Sequence, residues 1–160
     1  MSSVTIIEKA IQSGVLIESL IVIPTKGATG AQIAEEESVL PRKLSESHVK
    51  ILMHWNGINM DVIRLYGCAD IHEELRRLSD AQIGMFPGVE GCVVFGDDPA
   101  GFIYAEGGDG SIYSAQVSSG EVRKLAYNLD DFFERLVFGQ DAKDFGGADW
   151  EEELLGVGLI

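Results

Sequence analysis

Apolar residues first recur at helical spacing: Val4, Ile7 and Ile11 fall on one face, with Ser3 placed to cap the helix they predict. From Val15 to Ile23 the β-branched content rises and Pro24 ends the run, which predicts a strand, with a helix as the other option. Thr25, Gly27, Thr29 and Gly30 then read as a connector. Thr29 and Gln32 have capping-box spacing and predict a short helix through Glu35, Glu36 and Glu37. Pro41 limits it, because the residue before a proline is pushed out of helical angles.

The clearest helix follows, with Leu44, His48, Ile51, Leu52 and Trp55 on one face. Ser45 is its cap and Asn56-Gly57 its left-handed stop. Met60 to Tyr66 alternates in part and is strand-like, and Ile71 to Leu78 predicts a second helix capped by Asp70, with Glu73 and Glu74 near its positive end. The next third predicts a β-meander: Cys92–Phe95, Phe102–Ala105, Ile112–Tyr113 and Val122–Leu125, separated by turns rich in glycine, aspartate and serine. Asn128 caps a last helix that carries Leu129, Phe132, Phe133, Leu136 and Val137 and stops at Gly139. The fold class expected is therefore α+β, a mainly antiparallel sheet packed against helices.

Length and composition narrow this picture. A chain of 160 residues fits one domain spanning 1–160, and no repeat or Pro-rich linker divides it. Hydrophobic residues make up 46%, enough for a core without disulfides or metal. Cys68 and Cys92 are too few for a secreted disulfide scaffold and read as reduced, partly buried thiols. Near the start, Glu8, Lys9, Gln12, Ser13 and Glu18 interrupt the apolar stretch, so neither a signal peptide nor a membrane helix is predicted and the chain reads as cytoplasmic.

Charge changes the picture most. Twenty-six acidic residues against twelve basic ones give a formal net charge of -14. Such a field repels phosphates and anionic membranes and speeds encounter with basic proteins, although simple solubility also accounts for it. The tail, 140–160, is acidic but carries Phe145, Trp150, Leu154, Leu155 and Ile160, which predicts that it docks on the domain or on a partner.

Catalytic and metal chemistry finds no foothold. His48 and His54, six apart, face different ways on a helix, and Cys68 and His72 have Asp70 between them as a cap. No CxxC or HExxH spacing occurs. Asp97, Asp98, Glu106 and Asp109 lie near glycines but lack the alternation of a calcium loop, and read as turn formers. No phosphate-binding glycine loop is present, the adjacent pairs Asp97-Asp98 and Asp130-Asp131 are not opposed as a glycosidase needs, and neither cysteine has a base nearby in sequence. No cofactor, metal or catalytic residue is predicted.

Several strings in order resemble the SUKH superfamily, the Smi/Knr-like proteins. They are Leu40-Pro41 with a helix running to Trp55-Asn56-Gly57, then Val93-Val94-Phe95-Gly96-Asp97-Asp98, Gly101-Phe102-Ile103-Tyr104-Ala105, Gly110-Ser111-Ile112-Tyr113, and Leu129-Asp130-Asp131-Phe132-Phe133-Glu134-Arg135-Leu136. The resemblance covers about 31–139. The spacing from Leu40-Pro41 to Asn56-Gly57 is longer than the commonest form, and the first thirty residues and the tail fall outside it. It implies an adaptor without catalytic residues, in bacteria mostly an immunity protein that neutralises a polymorphic toxin, often a nuclease. A regulatory member without a toxin partner, and a small-ligand enzyme with an unrecognised site, are the rival readings. With the charge, the resemblance points to a basic protein partner of the nuclease-toxin kind, with no direct nucleic acid and no membrane. Candidate partner-binding residues are Asp97, Asp98 and Asp109 in exposed turns, and Asp149, Glu151 and Glu152 around Trp150, an aromatic of the kind enriched at interface hot spots.

Overall fold

The computed structural model describes residues 1–82 and 88–160. Its centre is a six-stranded antiparallel sheet in which spatial order follows chain order. The strands are β1 (Ile58–Asn59), β2 (Arg64–Leu65), β3 (Val93–Asp97), β4 (Phe102–Glu106), β5 (Ile112–Gln116) and β6 (Val122–Ala126). The helices are α1 (Ser3–Ser13), α2 (Gly30–Glu37), α3 (Glu46–His54), the single turn α4 (Leu78–Ala81), α5 (Leu129–Asp131) and α6 (Ala142–Gly156). The α+β class and the meander read from the sequence are both present.

Local chemistry explains most of the boundaries. Ser2, one residue earlier than the sequence suggested, caps α1 by accepting from Thr5 N, and Ser3 is buried instead. The Thr29/Gln32 capping box closes in both directions, at 3.2 and 2.9 Å. Ser45 accepts from His48 N and Asn128 from Asp131 N. From α5 the chain runs straight into a π-helical stretch, Phe132–Val137, whose wider turn is closed by Phe138 N donating to Phe133 O at 3.0 Å. Gly139 ends it for a steric reason: a Cβ there would lie 1.8 Å from Glu134 O.

Successive residues of β4 point to opposite faces. Tyr104 faces the helices, with Phe132 and Phe145 both 5.6 Å away between ring centroids, and Phe95 packs at 6.0 Å on Phe132. Ile103 and Ala105, on the other face, are buried as well. Gly96 lets β2 and β3 approach, since a Cβ would stand 2.6 Å from Arg64 O. Beyond the end of β2 the Gln82 side chain takes over the strand's role, accepting from Val94 N at 2.9 Å and donating to Val94 O at 2.8 Å.

Two predicted elements are absent. The stretch from Val15 to Ile23 forms one 3-10 turn, Glu18–Leu20, and a single bridge between Val22 and Asn59. The β-branched residues suit a strand, but among the described residues only Val22 finds a ladder partner, and Ile17 and Leu20 stay exposed. The helix predicted for Ile71 to Leu78 does not form either. Asp70 adopts a left-handed φ of 60°, and Gly67 fixes the backbone by accepting from Leu78 N and donating to Arg76 O. Tertiary pairing overrides the local acidic start signal there. The strand-like span Met60 to Tyr66 is instead the turn and second arm of the β1–β2 hairpin. No helix among the described residues is long and apolar enough to cross a membrane.

Candidate partner-binding face

Asp97 and Asp98 sit where β3 turns into β4, and both are occupied by the turn itself. The Arg64 guanidinium on β2 forks onto the two oxygens of Asp97, through Nε at 3.0 Å and through Nη2, and the Tyr66 hydroxyl donates to Oδ2 at 2.8 Å. Burial and this bond to Asp97 push the Tyr66 phenol well above its ordinary value. Asp98 Oδ1 accepts from Ala100 N at 2.9 Å and Phe102 N at 3.1 Å, while Oδ2 takes the Tyr104 hydroxyl. These carboxylates build the hairpin and keep only part of their surface for anything else.

Asp109 stands at the other end of β4. Five residues at roughly 3.4 Å each separate the two turns by about 17 Å. Asp109 is exposed and accepts from Ser111 N at 3.0 Å, and that bond holds its carboxyl below the usual range. Beneath this turn lies a buried polar group. Arg42 Nη2 donates to Glu106 O at 2.9 Å and also to Gly107 O, and Ser45 Oγ donates to Glu106 Oε2 at 2.8 Å. Burial raises the Glu106 carboxyl and drives the neighbouring His48 down to about 4.

The α6 residues separate by helical geometry. Trp150 is a core residue rather than a surface anchor: it is buried against Phe138 and donates Nε1–H to Val137 O at 2.7 Å. Presenting it to a partner would require α6 to unpack. Asp149 and Glu152 are exposed and Glu151 is half-buried. The helix is kinked at Gly147, whose φ is 87°.

Beyond the kink, Asp149 and Glu153 lie along a depression of about 220 Å³. Its other walls are Val15–Ile17, Met60–Val62 and Pro99. A second depression, about 240 Å³, continues from it, because Asp61 and Pro99 line both; Asp97 and Asp98 form its far side. The structure thus brings Asp97, Asp98 and Asp149 to one face and leaves Asp109 at the opposite end of the sheet. Sequence reasoning missed Asp61 and Glu153 as members of this face. Glu153 was within reach through its i,i+4 relation to Asp149. Asp61, held at a φ of 66° in the β1–β2 turn, offered no signal.

A larger groove of about 380 Å³ lies between β4–β6 and the final helices, lined by Ser114, Arg123, Arg135, Asp144 and Phe145 among others. Arg135 there is committed to Asp131, Asp141 and Leu125 O. Neither cysteine suits nucleophilic work. Cys68 is fully buried with its thiol pushed up to about 12 by burial, and Cys92 is raised for the same reason. Among the described residues no three His, Cys, Asp or Glu side chains gather as a metal site would need.

The order of helix, meander and closing helix agrees with one comparison. A family model, the SMI1 / KNR4 family (SUKH-1), matches residues 27–135, which takes in α2, α3, all six described strands and the first four residues of the π-helical stretch. No curated protein matches the chain. With more than half its length matched, and with the fold that the resemblance implies, the chain belongs to the SMI1 / KNR4 family (SUKH-1).

Proposed function

We propose that this chain is a non-catalytic binding module of the cytoplasm that neutralises a basic, nuclease-type toxin by covering its phosphate-binding cleft. The observation that carries the reading is the formal net charge of -14 on a fold of the SMI1 / KNR4 family. A nuclease cleft is lined with cations, so an acidic surface both complements it and accelerates encounter. Cys68 is buried and Cys92 half-buried, and burial raises both thiols, which speaks against cysteine nucleophilic catalysis and makes the small-ligand enzyme the weaker alternative.

Among the exposed acids that can make such contact are Asp61, Asp109, Asp149, Glu152 and Glu153, with Glu151 partly covered. Asp97 and Asp98 contribute negative potential while their oxygens serve Arg64, Tyr66 and the turn amides. Trp150 contributes by holding α6 in place.

The test is a protection assay. Basic nuclease domains of polymorphic toxins, above all one encoded beside this chain, are mixed with the purified protein and assayed for cleavage of plasmid DNA and of RNA. Stoichiometric inhibition, with intact toxin recovered afterwards, is the expected result. Absence of binding to every such domain leaves the regulatory adaptor as the standing reading.

A further inference from the structure

The depression beside α6 combines features that the global charge does not explain. Its floor is apolar, formed by Val15, Leu16, Met60 and Trp150, all buried beneath it. Its rim carries Asp61 from the β1–β2 turn and Asp149 and Glu153 from α6. Among the described residues none of the three forms an ion pair. Ile17, 54% exposed, extends the apolar surface at one edge.

An apolar floor alone would select a leucine or a phenylalanine. Three carboxylates around it reject anions and reward a cation held at the opening. A long basic side chain satisfies both demands, since lysine and arginine lay their methylene stems on apolar surface while the charged head stays at the polar rim. Size agrees with this choice. The volume of about 220 Å³ falls below the roughly 300–1,000 Å³ typical of small-molecule pockets. The larger Arg123–Arg135 groove lies within that range, but its lining mixes Arg123, Lys124 and Arg135 with Asp98 and Asp144 and so carries no uniformly acidic rim.

We infer that the depression between Val15–Ile17, Met60–Val62 and Gly146–Glu153 is the docking pocket for a lysine or arginine side chain of the basic partner, with apolar neighbours of that residue resting on Ile17. The inference rests on the partner-binding reading and adds to it a place and a recognised side chain. The adjoining depression lined by Arg64, Asp97 and Asp98 continues the track along which the partner's chain would run.

The experiment titrates the isotopically labelled full-length protein with blocked peptides and follows amide signals by NMR. A peptide alternating leucine and arginine is the main probe. Alternating leucine and glutamate, and alternating glycine and arginine, are the controls for charge and for the apolar stem's neighbours. The expected shifts from the leucine–arginine peptide cluster at Val15–Ile17, Asp61–Val62 and Asp149–Glu153. They weaken at least tenfold in apparent affinity in the variant combining Asp61→Asn, Asp149→Asn and Glu153→Gln, whose signal dispersion stays native. The glutamate peptide gives no shifts and the glycine–arginine peptide gives weaker ones at the same place. Shifts spread evenly over other exposed acids such as Asp109 and Glu35, or undiminished binding by the triple variant, overturn the inference.

Failure of this pocket is distinguishable from failure of the functional reading. A basic toxin bound equally by the wild type and the triple variant removes the pocket and leaves the reading intact. Localised peptide shifts without binding to any basic toxin leave the pocket and remove the toxin.

Discussion

Replacing Arg77 by alanine tests how α2 is fastened to the start of α4. Glu36 on α2 is wholly inaccessible and accepts from Arg77 Nη2 at 2.7 Å, from Arg77 Nε at 3.4 Å and from Ser79 N at 2.9 Å. Burial alone would push this carboxyl up, yet the bonds from Arg77 and Ser79 outweigh burial and hold it below its ordinary value. Arg77→Ala removes two of the three donors and strands a buried carboxylate. Breaking a fully buried pair costs about 3–5 kcal/mol. The Arg77 side chain is 35% exposed, so solvent screens the pair and water can enter the vacated space, which lowers the expectation to about 2–3 kcal/mol.

Glu36→Gln should cost less, about 1–2 kcal/mol, because a neutral amide still accepts from Ser79 N and Arg77 can hydrate. The double variant should fall short of the sum by about 1 kcal/mol or more. Urea denaturation with an unchanged slope measures all three. The pH dependence has a definite sign. A folded pKa below the unfolded one means stability that is present above the unfolded value and lost as pH falls through the folded value. The gap between wild type and Glu36→Gln should therefore shrink below about pH 4.5, the ordinary glutamate value. An Arg77→Ala cost within about 0.5 kcal/mol, or one smaller than that of Glu36→Gln, would refute the reasoning.

Three further outcomes are expected. Leu52, 1% exposed on α3, should cost about 2–5 kcal/mol as Leu52→Ala, while Lys50→Ala, which loses only an exposed pair with Glu46, should stay within about 0.5 kcal/mol; equal denaturation midpoints would contradict the packing. His48, driven by burial from 6.5 to about 4, contributes stability present above pH 6.5 and lost as pH falls toward 4, at most about 3 kcal/mol; thermal melts across that window should lose this component in His48→Leu. Calorimetry with calcium, magnesium and zinc at micromolar metal should show no stoichiometric uptake, because Asp97 and Asp98 already bind Arg64, tyrosine hydroxyls and turn amides; an isotherm abolished by Asp97→Ala or Asp109→Ala would say otherwise.

Where a residue's role depends on its immediate neighbours, the sequence was legible. Thr29 with Gln32, Ser45 and Asn128 each serve an amide within three residues, and each was read correctly as a cap. The β-meander was legible because its turns are made by glycine, aspartate and serine flanked by apolar runs. Long-range pairing was not legible. Glu73 and Glu74 imitate a helix start, but Gly67 holds Arg76 and Leu78 in a bridge that a helix cannot satisfy. Val15 to Ile23 has strand composition without a strand to pair with beyond Asn59. Trp150 shows a misread signal: its acidic neighbours suggested a surface, whereas its i,i+4 relation to Leu154 already marked an inward stripe. The candidate face was least legible, since Ile17, Asp61, Pro99 and Asp149 come from four separate parts of the chain and share nothing in sequence.

The central claim is that uncompensated surface acids recognise a basic partner, and association kinetics test it most directly. Stopped-flow mixing with an inhibited basic toxin domain should show the association rate falling about tenfold or more between low and physiological salt, while dissociation changes by no more than about threefold. Charge reversal at Asp61, Asp149 and Glu153 to lysine should reproduce that fall at low salt without unfolding the domain, because among the described residues none of these carboxylates is tied into the structure as Asp97 and Asp98 are. An association rate indifferent to both salt and charge reversal would contradict the account.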